Sequence, residues 1–375
     1  MLIALGILVA GGVGLAVIGV ATVRNSTAGR FVDPLPGPDE PGYQAYVEPT
    51  PTMAVVHRGA EGELIGVALL VLESNEDGGT VVLVPATTLI RQDPDEEAPA
   101  TLAEVYDQLG DTGVVAALAD LLVVAIPEHL EVDDARWASL VAPVAPVEVE
   151  LTGQVGEWGP GTVPLTADDV GPFLATLSEG EPEVERLERQ VALWTAWLPQ
   201  VRDAGADALP GETGVGIGRF VRELAAGLPS IVPLPVTPVD EGAGGVPEAY
   251  NPHVQQVGDL VARAVPSPVS PTPDRRARVR LLNGTTDRAL MAEAAQALVR
   301  SGAEITIVGN AQTFDEEETR LLYGSEAQRP AAEWLAAGFG DATVEADPSL
   351  DGGETDDDID VTVILGDDAR DLIGR

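Results

Sequence analysis

Residues 278–310 read RVRLLNGTTDRALMAEAAQALVRSGAEITIVGN, and the order of elements in this stretch decides the fold. A short run of β-formers leads to Asn283-Gly284-Thr285-Thr286, a turn. Leu290, Ala294 and Leu298 then recur at i, i+4 and i+8, the apolar stripe of a helix. Gly302 stops that helix, and EITIVGN follows as a second strand. Strand, turn, helix, strand is the unit from which α/β domains are built. Thr285 or Thr286 is expected to cap the helix through its hydroxyl.

Downstream, TRLLYG, AAEWLAAGF, ATVEAD and DVTVILG continue the alternation, so a small sheet covered by helices is expected over 276–375. The run DGGETDDDID reads as a solvated acidic loop and lacks the spacing of a calcium loop. Upstream, VPSPVSPTPDRR at 265–276 is Pro-rich and sets a linker at 263–275. Before it, 54–262 reads as a larger α/β domain. MAVVHR and LIGVALLVLES are strands around the turn GAEGE, and VVLVP is a strand buried on both faces. TLAEVYDQLG and GVVAALADLLVVAI are helices broken at Gly110 and Gly113. HLEVD and PVEVEL are short strands flanking a helical ARWASLV, and TADDVGPFLATL and EVERLERQVALWTAWL are helices. In the last of these Leu187, Val191, Trp194 and Leu198 share one face.

Residues 2–23 carry no charge and are long enough to span a bilayer core of about 30 Å. A retained transmembrane anchor over 1–23 and an exposed tether over 24–53 are therefore expected. Arg24 and Arg30 follow the segment, which taken alone favours a cytoplasmic C-terminus.

Composition excludes several classes. The chain has no Cys, so disulfides, thiol nucleophiles and thiolate metal sites are absent. Its three His, His57, His129 and His253, share no metal-binding spacing. No metal or other cofactor is expected. The net charge is −40, and all 21 basic residues are Arg. Such a surface repels phosphate backbones, so nucleic acid is not an expected partner. GVGIGRF at 214–220 has Phe220 where a dinucleotide fingerprint needs its third Gly.

The run LLNGT, the single Gly before the second strand and the closing VTVILG together make residues 276–368 similar to the LytR C-terminal domain. The larger segment resembles a LytR-CpsA-Psr domain. IPEHLEVDDARWASLVAPVAPVEVEL is similar to that family's central stretch, and TADDVGPFLATL with EVERLERQ is similar to its paired helices. The resemblance implies a single-pass membrane protein with its folded domains outside the cytoplasm. Working members move glycopolymer from a polyprenyl-pyrophosphate carrier to the cell wall, using arginines on the pyrophosphate and carboxylates on Mg²⁺. Arg forks fit phosphate oxygens bidentately, and Mg²⁺ takes hard oxygen ligands.

The chain departs from this pattern where the chemistry sits. The family's strand ends in Pro-Arg-Asp, whereas this one reads Pro85-Ala86-Thr87. The helix that should supply two arginines carries Ala175 and Leu177 instead. The family's carboxylate at the preceding strand falls near Ile65 or Gly66, with Glu63 the nearest acid. Arg186 and Arg189 persist as candidate phosphate-binding residues. Set against that role is a surface ion pair between Glu185 and Arg189. Trp194 and Trp197 read as core side chains rather than the lining of a lipid tunnel.

The expected protein is thus a membrane-anchored, non-catalytic binding or scaffolding member of the envelope machinery. Its partners would be a polyprenyl-pyrophosphate lipid, wall glycopolymer or other envelope proteins. The alternative is an active Mg²⁺-dependent transferase with Arg186 and Arg189 as clamp and Glu63 as metal ligand.

Overall fold

A computed structural model describes residues 36–73, 77–90, 99–178, 180–210, 214–241, 247–350 and 359–373. The expected anchor at 1–23, Arg24 and Arg30, and the acidic run at 351–358 lie outside these. Among the described residues, no helix is long and apolar enough to cross a membrane.

The elements run in chain order as follows. β1 (Gln44–Tyr46), β2 (Thr52–Arg58), β3 (Leu64–Leu72), β4 (Gly79–Pro85) and the short β5 (Leu89–Ile90) and β6 (Ala100–Thr101) precede α1 (Leu102–Leu122). Next come β7 (Glu128–Val132), α2 (Asp134–Val141), the hairpin β8 (Val147–Leu151) and β9 (Gly161–Leu165), α3 (Ala167–Ala175), α4 (Glu183–Ala204) and α5 (Gly216–Ala226). β10 (Ser230–Pro233), the ribbon β11 (Val236–Glu241) and β12 (Pro247–Pro252), and α6 (Val254–Ala264) close the larger part. The rest is β13 (Ala277–Asn283), α7 (Ala289–Arg300), β14 (Ala303–Asn310), β15 (Arg320–Tyr323), α8 (Arg329–Gly338), β16 (Thr343–Ala346), β17 (Val361–Leu365) and α9 (Ala369–Ile373).

The first sheet has the order β10-β4-β3-β2-β7. β3 pairs antiparallel with β2 and β4, while the outer pairs β2–β7 and β4–β10 are parallel. All nine residues of β3 are buried because helices cover both faces. On one face Val55, Leu70 and Leu83 meet α2, α3, α4 and α5. On the other Val56, Leu69 and Val84 meet α1 and α6. That two-sided burial is why LIGVALLVL and VVLVP show no polar alternation. α1 is two helical runs that meet at a kink, where Gly110 leaves helical backbone with φ 70° and ψ −164°. Its start carries a capping box between Thr101 and Glu104.

The second sheet has the order β1-β14-β13-β17-β15-β16, with α7, α8 and α9 packed on one face. β14 accordingly alternates buried and half-buried residues along its length. Gly284 is required here by close approach: a Cβ would lie 2.5 Å from the Leu365 carbonyl oxygen. Neither Thr285 nor Thr286 caps α7, contrary to expectation. Asn283 Oδ1 accepts from the Thr285 backbone N–H, Thr285 Oγ1 accepts from Asp287 N–H, and Asp287 Oδ1 accepts from Ala289 N–H. The turn winds through this relay before the helix begins.

Two segments expected to be connecting chain are built into the fold. Part of the stretch 24–53 is β1, which forms the edge of the C-terminal sheet, and β2 starts at Thr52. The Pro-rich stretch after α6 is hydrogen-bonded to both sides. Thr50 and Ser267 exchange bonds of 3.0 Å, and Ala125 N–H donates to Val269 O. Arg276 donates from Nε to Val123 O and from Nη1 to Val299 O and Ala303 O. α6 itself is shared: Val257, Leu260 and Val261 belong to the first core and Ala262 to the C-terminal core.

Candidate functional site

The site begins where β4 stops. Thr88 closes the turn after Pro85 by bonding back to the Pro85 carbonyl through its own N–H and its hydroxyl. Carbonyls of the turn are taken up by neighbours: Ala86 O by Ala103 N–H, Thr87 O by Tyr250 N–H and Thr88 O by Leu102 N–H. Two backbone N–H groups, those of Ala86 and Thr87, are left pointing at the start of α4. Paired amides at a strand end form a concavity for an anion.

The chain supplies that anion. Glu183, the first residue of α4, is buried and accepts from Ala86 N–H at 2.7 Å and from Thr87 N–H at 3.0 Å. The Thr87 hydroxyl also donates to it. Its position in the first turn of a 22-residue helix adds the favourable end of the macrodipole. Arg186, one turn on, closes the arrangement. Its Nη2 donates to Glu183 Oε1 and to Ile65 O, both at 2.7 Å, and Nη1 reaches Ala175 O at 3.5 Å.

Arg189 is likewise buried and paired with Glu181 and the Thr176 carbonyl. The expected Glu185–Arg189 pair is therefore not what forms. Glu185 is exposed on α4, while Arg189 is buried against its own partners. Both candidate phosphate-binding arginines sit where they were expected, on one helix face. Each is already matched by a carboxylate of the chain. Ala175 and Leu177 add no side-chain charge, and Leu177 is exposed. Glu63 does not join the group: its carboxylate folds over the β2–β3 turn, 2.3 Å from where a Cβ on Gly59 would be. Among the described residues no cluster of three or more His, Asp or Glu has the geometry to hold a metal ion.

Beside Arg189 lies an open groove of about 450 Å³. Glu150, Glu181, Glu185 and Glu188 line it, and Arg189 is the sole cation among the described residues of its wall. Four carboxylates against one neutralised guanidinium make a field that repels a polyanion.

Behind the turn, the layer between the first sheet and α4 is full. Trp137, Trp194 and Trp197 pack with ring centroids 5.3–6.0 Å apart. The space left among Val55, His57, Leu83, Trp137, Gln190 and Trp194 is about 20 Å³, enough for one water and not for a polyprenyl chain. Trp194 and Trp197 are core residues, as read from their spacing. His57 is buried against Trp137, and neither ring nitrogen has a hydrogen-bond partner. Desolvation, reinforced by the Arg186 charge, drops its pKa to about 3. It is a neutral ring at any physiological pH. His129 is half-exposed beside Asp111 at 3.4 Å.

Glu181, Glu183, Gln190 and Trp137 were not singled out in the sequence. Glu183 had one available signal, its i, i+3 spacing from Arg186.

Residues 276–368 match the family model described as "LytR cell envelope-related transcriptional attenuator", the same bounds over which the sequence motifs carry the resemblance. No curated protein matches the chain. Among solved structures, a LytR-Csp2A-Psr enzyme from Actinomyces oris is similar at 18% identity, over 61% of this chain and 96% of that one, with a TM-score of 0.45. TagT of B. subtilis is similar at 13% identity, over 58% of this chain and 90% of that one, with a TM-score of 0.46. A third, the family protein YwtF (TagT) with bound octaprenyl pyrophosphate lipid, is 12% identical over 62% and 92%, with a TM-score of 0.45.

Proposed function

We propose that this chain is a cell-envelope protein whose larger domain binds or scaffolds in wall glycopolymer assembly without catalysing transfer. In this reading residues 1–23 hold it at the membrane with the folded parts outside the cytoplasm. The observation that carries the non-catalytic reading is Glu183, which fills the amides after β4 and neutralises Arg186. Anionic substrate would have to displace a buried carboxylate that accepts four hydrogen bonds. A transferase also needs developing negative charge stabilised, and one missing preorganised donor commonly costs roughly 10²–10³ in rate. The C-terminal match, whose description names the cell envelope, supports the setting. The net charge of −40 opposes a direct nucleic-acid role.

The test is to incubate residues 31–375 with a short-chain polyprenyl-pyrophosphate and Mg²⁺, following phosphate release and lipid binding together. No release above the background of the Arg186→Ala variant is expected. Release above it would restore the enzyme. Saturable binding without release, weakened by Arg186→Ala, would make the protein a lipid-carrier sensor; no binding leaves a scaffold acting through protein contacts.

A further inference from the structure

A second open groove lies at the far end of the first sheet from the turn after β4. On β3, Gly66 faces both Pro85 and His57 near that turn, whereas Met53 at the start of β2 pairs with Leu70. The groove holds about 550 Å³, a volume common for small-molecule sites. Met53, Leu130, Val215 and Ile217 give it an apolar wall, and Glu128 and Arg136 line it too. Glu128 and Leu130 are two apart on β7 and so share a face of the strand. Val215 and Ile217 come from GVGIGRF, the stretch that fails as a dinucleotide fingerprint, and Val215 is 60% exposed there.

The two charges are unmatched. Among the described residues neither Glu128 nor Arg136 has an ion pair or a side-chain hydrogen bond, to each other or to any third group. Arg263 is the only other described arginine of which that is true. In a chain with 61 acidic residues and 21 basic ones, a guanidinium left without a partner is the exception. His129, the remaining titratable group of the wall, already sits beside Asp111 at 3.4 Å. An anion entering this groove is opposed by Glu128, and a cation by Arg136. A neutral apolar molecule would cover both charges without pairing either, which costs free energy. A zwitterion with an apolar body satisfies the wall and both charges.

We propose that this groove binds a short apolar peptide with both termini free. The peptide's ammonium pairs with Glu128, its carboxylate takes the fork of Arg136, and its side chains lie against Met53, Leu130 and Ile217. A phosphoethanolamine lipid head carries the same two charges, but it has no apolar group between them to meet that wall.

The experiment titrates the full chain with the dipeptide Leu-Leu by isothermal calorimetry, and saturable binding is expected. Arg136→Gln and Glu128→Gln should each weaken it about tenfold, the effect of losing one hydrogen bond between charged groups. Arg136 is exposed and Glu128 half-buried, so both variants should keep the wild-type circular dichroism. Capping the peptide gives a matching set. N-acetyl-Leu-Leu has no ammonium for Glu128, so Glu128→Gln should cost nothing further with it. The amide of Leu-Leu should stand in the same relation to Arg136→Gln. Gly-Gly keeps both charges but has no side chains, and it should bind at least tenfold more weakly than Leu-Leu. Glycerophosphoethanolamine should not displace Leu-Leu. None of these changes touches Glu183 or Arg186, so the result stands apart from the lipid-pyrophosphate test. No saturable binding, equal affinity for free and capped peptides, or unchanged binding in both variants would each overturn the proposal. Displacement by glycerophosphoethanolamine would overturn it in favour of a lipid head.

Discussion

Glu183 and Arg186 are a buried pair whose worth lies mainly in their mutual presence. Replacing both with apolar groups can be nearly neutral, but removing one leaves a desolvated charge alone. Glu183→Ala should therefore lower the unfolding free energy by about 3–5 kcal/mol in urea titrations, since it strands Arg186 and two amides. The double variant Glu183→Ala/Arg186→Ala should lose clearly less than the sum of the single changes. Strict additivity would mean that the two side chains do not interact. His57 acts in the opposite sense. Its folded pKa of about 3 lies below the unfolded 6.5, so only the unfolded chain takes up its proton between those values. The favourable contribution is complete above pH 6.5 and is lost as pH falls towards 3, at roughly 1.4 kcal/mol per pH unit inside the window. Melting temperatures of wild type should fall more steeply from pH 6.5 to 4.5 than those of His57→Phe. At this scale the sequence was half informative. Arg186 and Arg189 stood out by spacing, but the acids that neutralise them did not. Glu181 is eight residues from Arg189, and Glu183 meets Ala86 across a separation of 97 residues.

Elements were more legible where burial imposes a period. β3 and β4 read as strands because both faces are covered, and α4 because its apolar stripe recurs every turn. Strands β1, β9, β10, β11 and β12 were missed for a common reason. Pro164, Pro233, Pro238, Pro247 and Pro252 lie within four of them, and β1 is three residues long with Pro41 and Pro49 on either side. Such chain looks like loop until a partner strand is known. The kink in α1 is the opposite case, since glycine marked it in advance. Gly110→Ala should cost about 1–3 kcal/mol, because φ 70° with ψ −164° is open to glycine and strained for a side chain. Guanidinium melts of that variant against Gly258→Ala, a position in α6 outside the left-handed region with open space around it, would show whether the backbone angle or the loss of glycine itself matters.

Across the molecule, 61 acidic residues against 21 basic ones leave a self-repelling surface. Salt shortens the range of that repulsion to roughly 8 Å at physiological ionic strength. The melting temperature should rise between 10 mM and 500 mM NaCl, and a fall would show that the surface Arg–carboxylate pairs outweigh the net charge. The sequence reads the Pro-rich stretch as a linker, whereas the structure bonds it to residues on both sides. Its rigidity comes from contacts with residues far away in the chain, which composition does not record. Arg276 gathers three carbonyls there, one from beside α1 and two flanking the turn from α7 into β14. A single guanidinium thus takes over the work of a hinge pin that has been welded. In rotational diffusion the two sheets would turn as one particle of the full mass, with no separate faster tumbling of the C-terminal portion. Any signal passed between them would have to travel as a change in local packing, since swinging one part against the other would mean breaking the bond from Arg276 to Val123 while its two bonds to Val299 and Ala303 hold it to the C-terminal sheet.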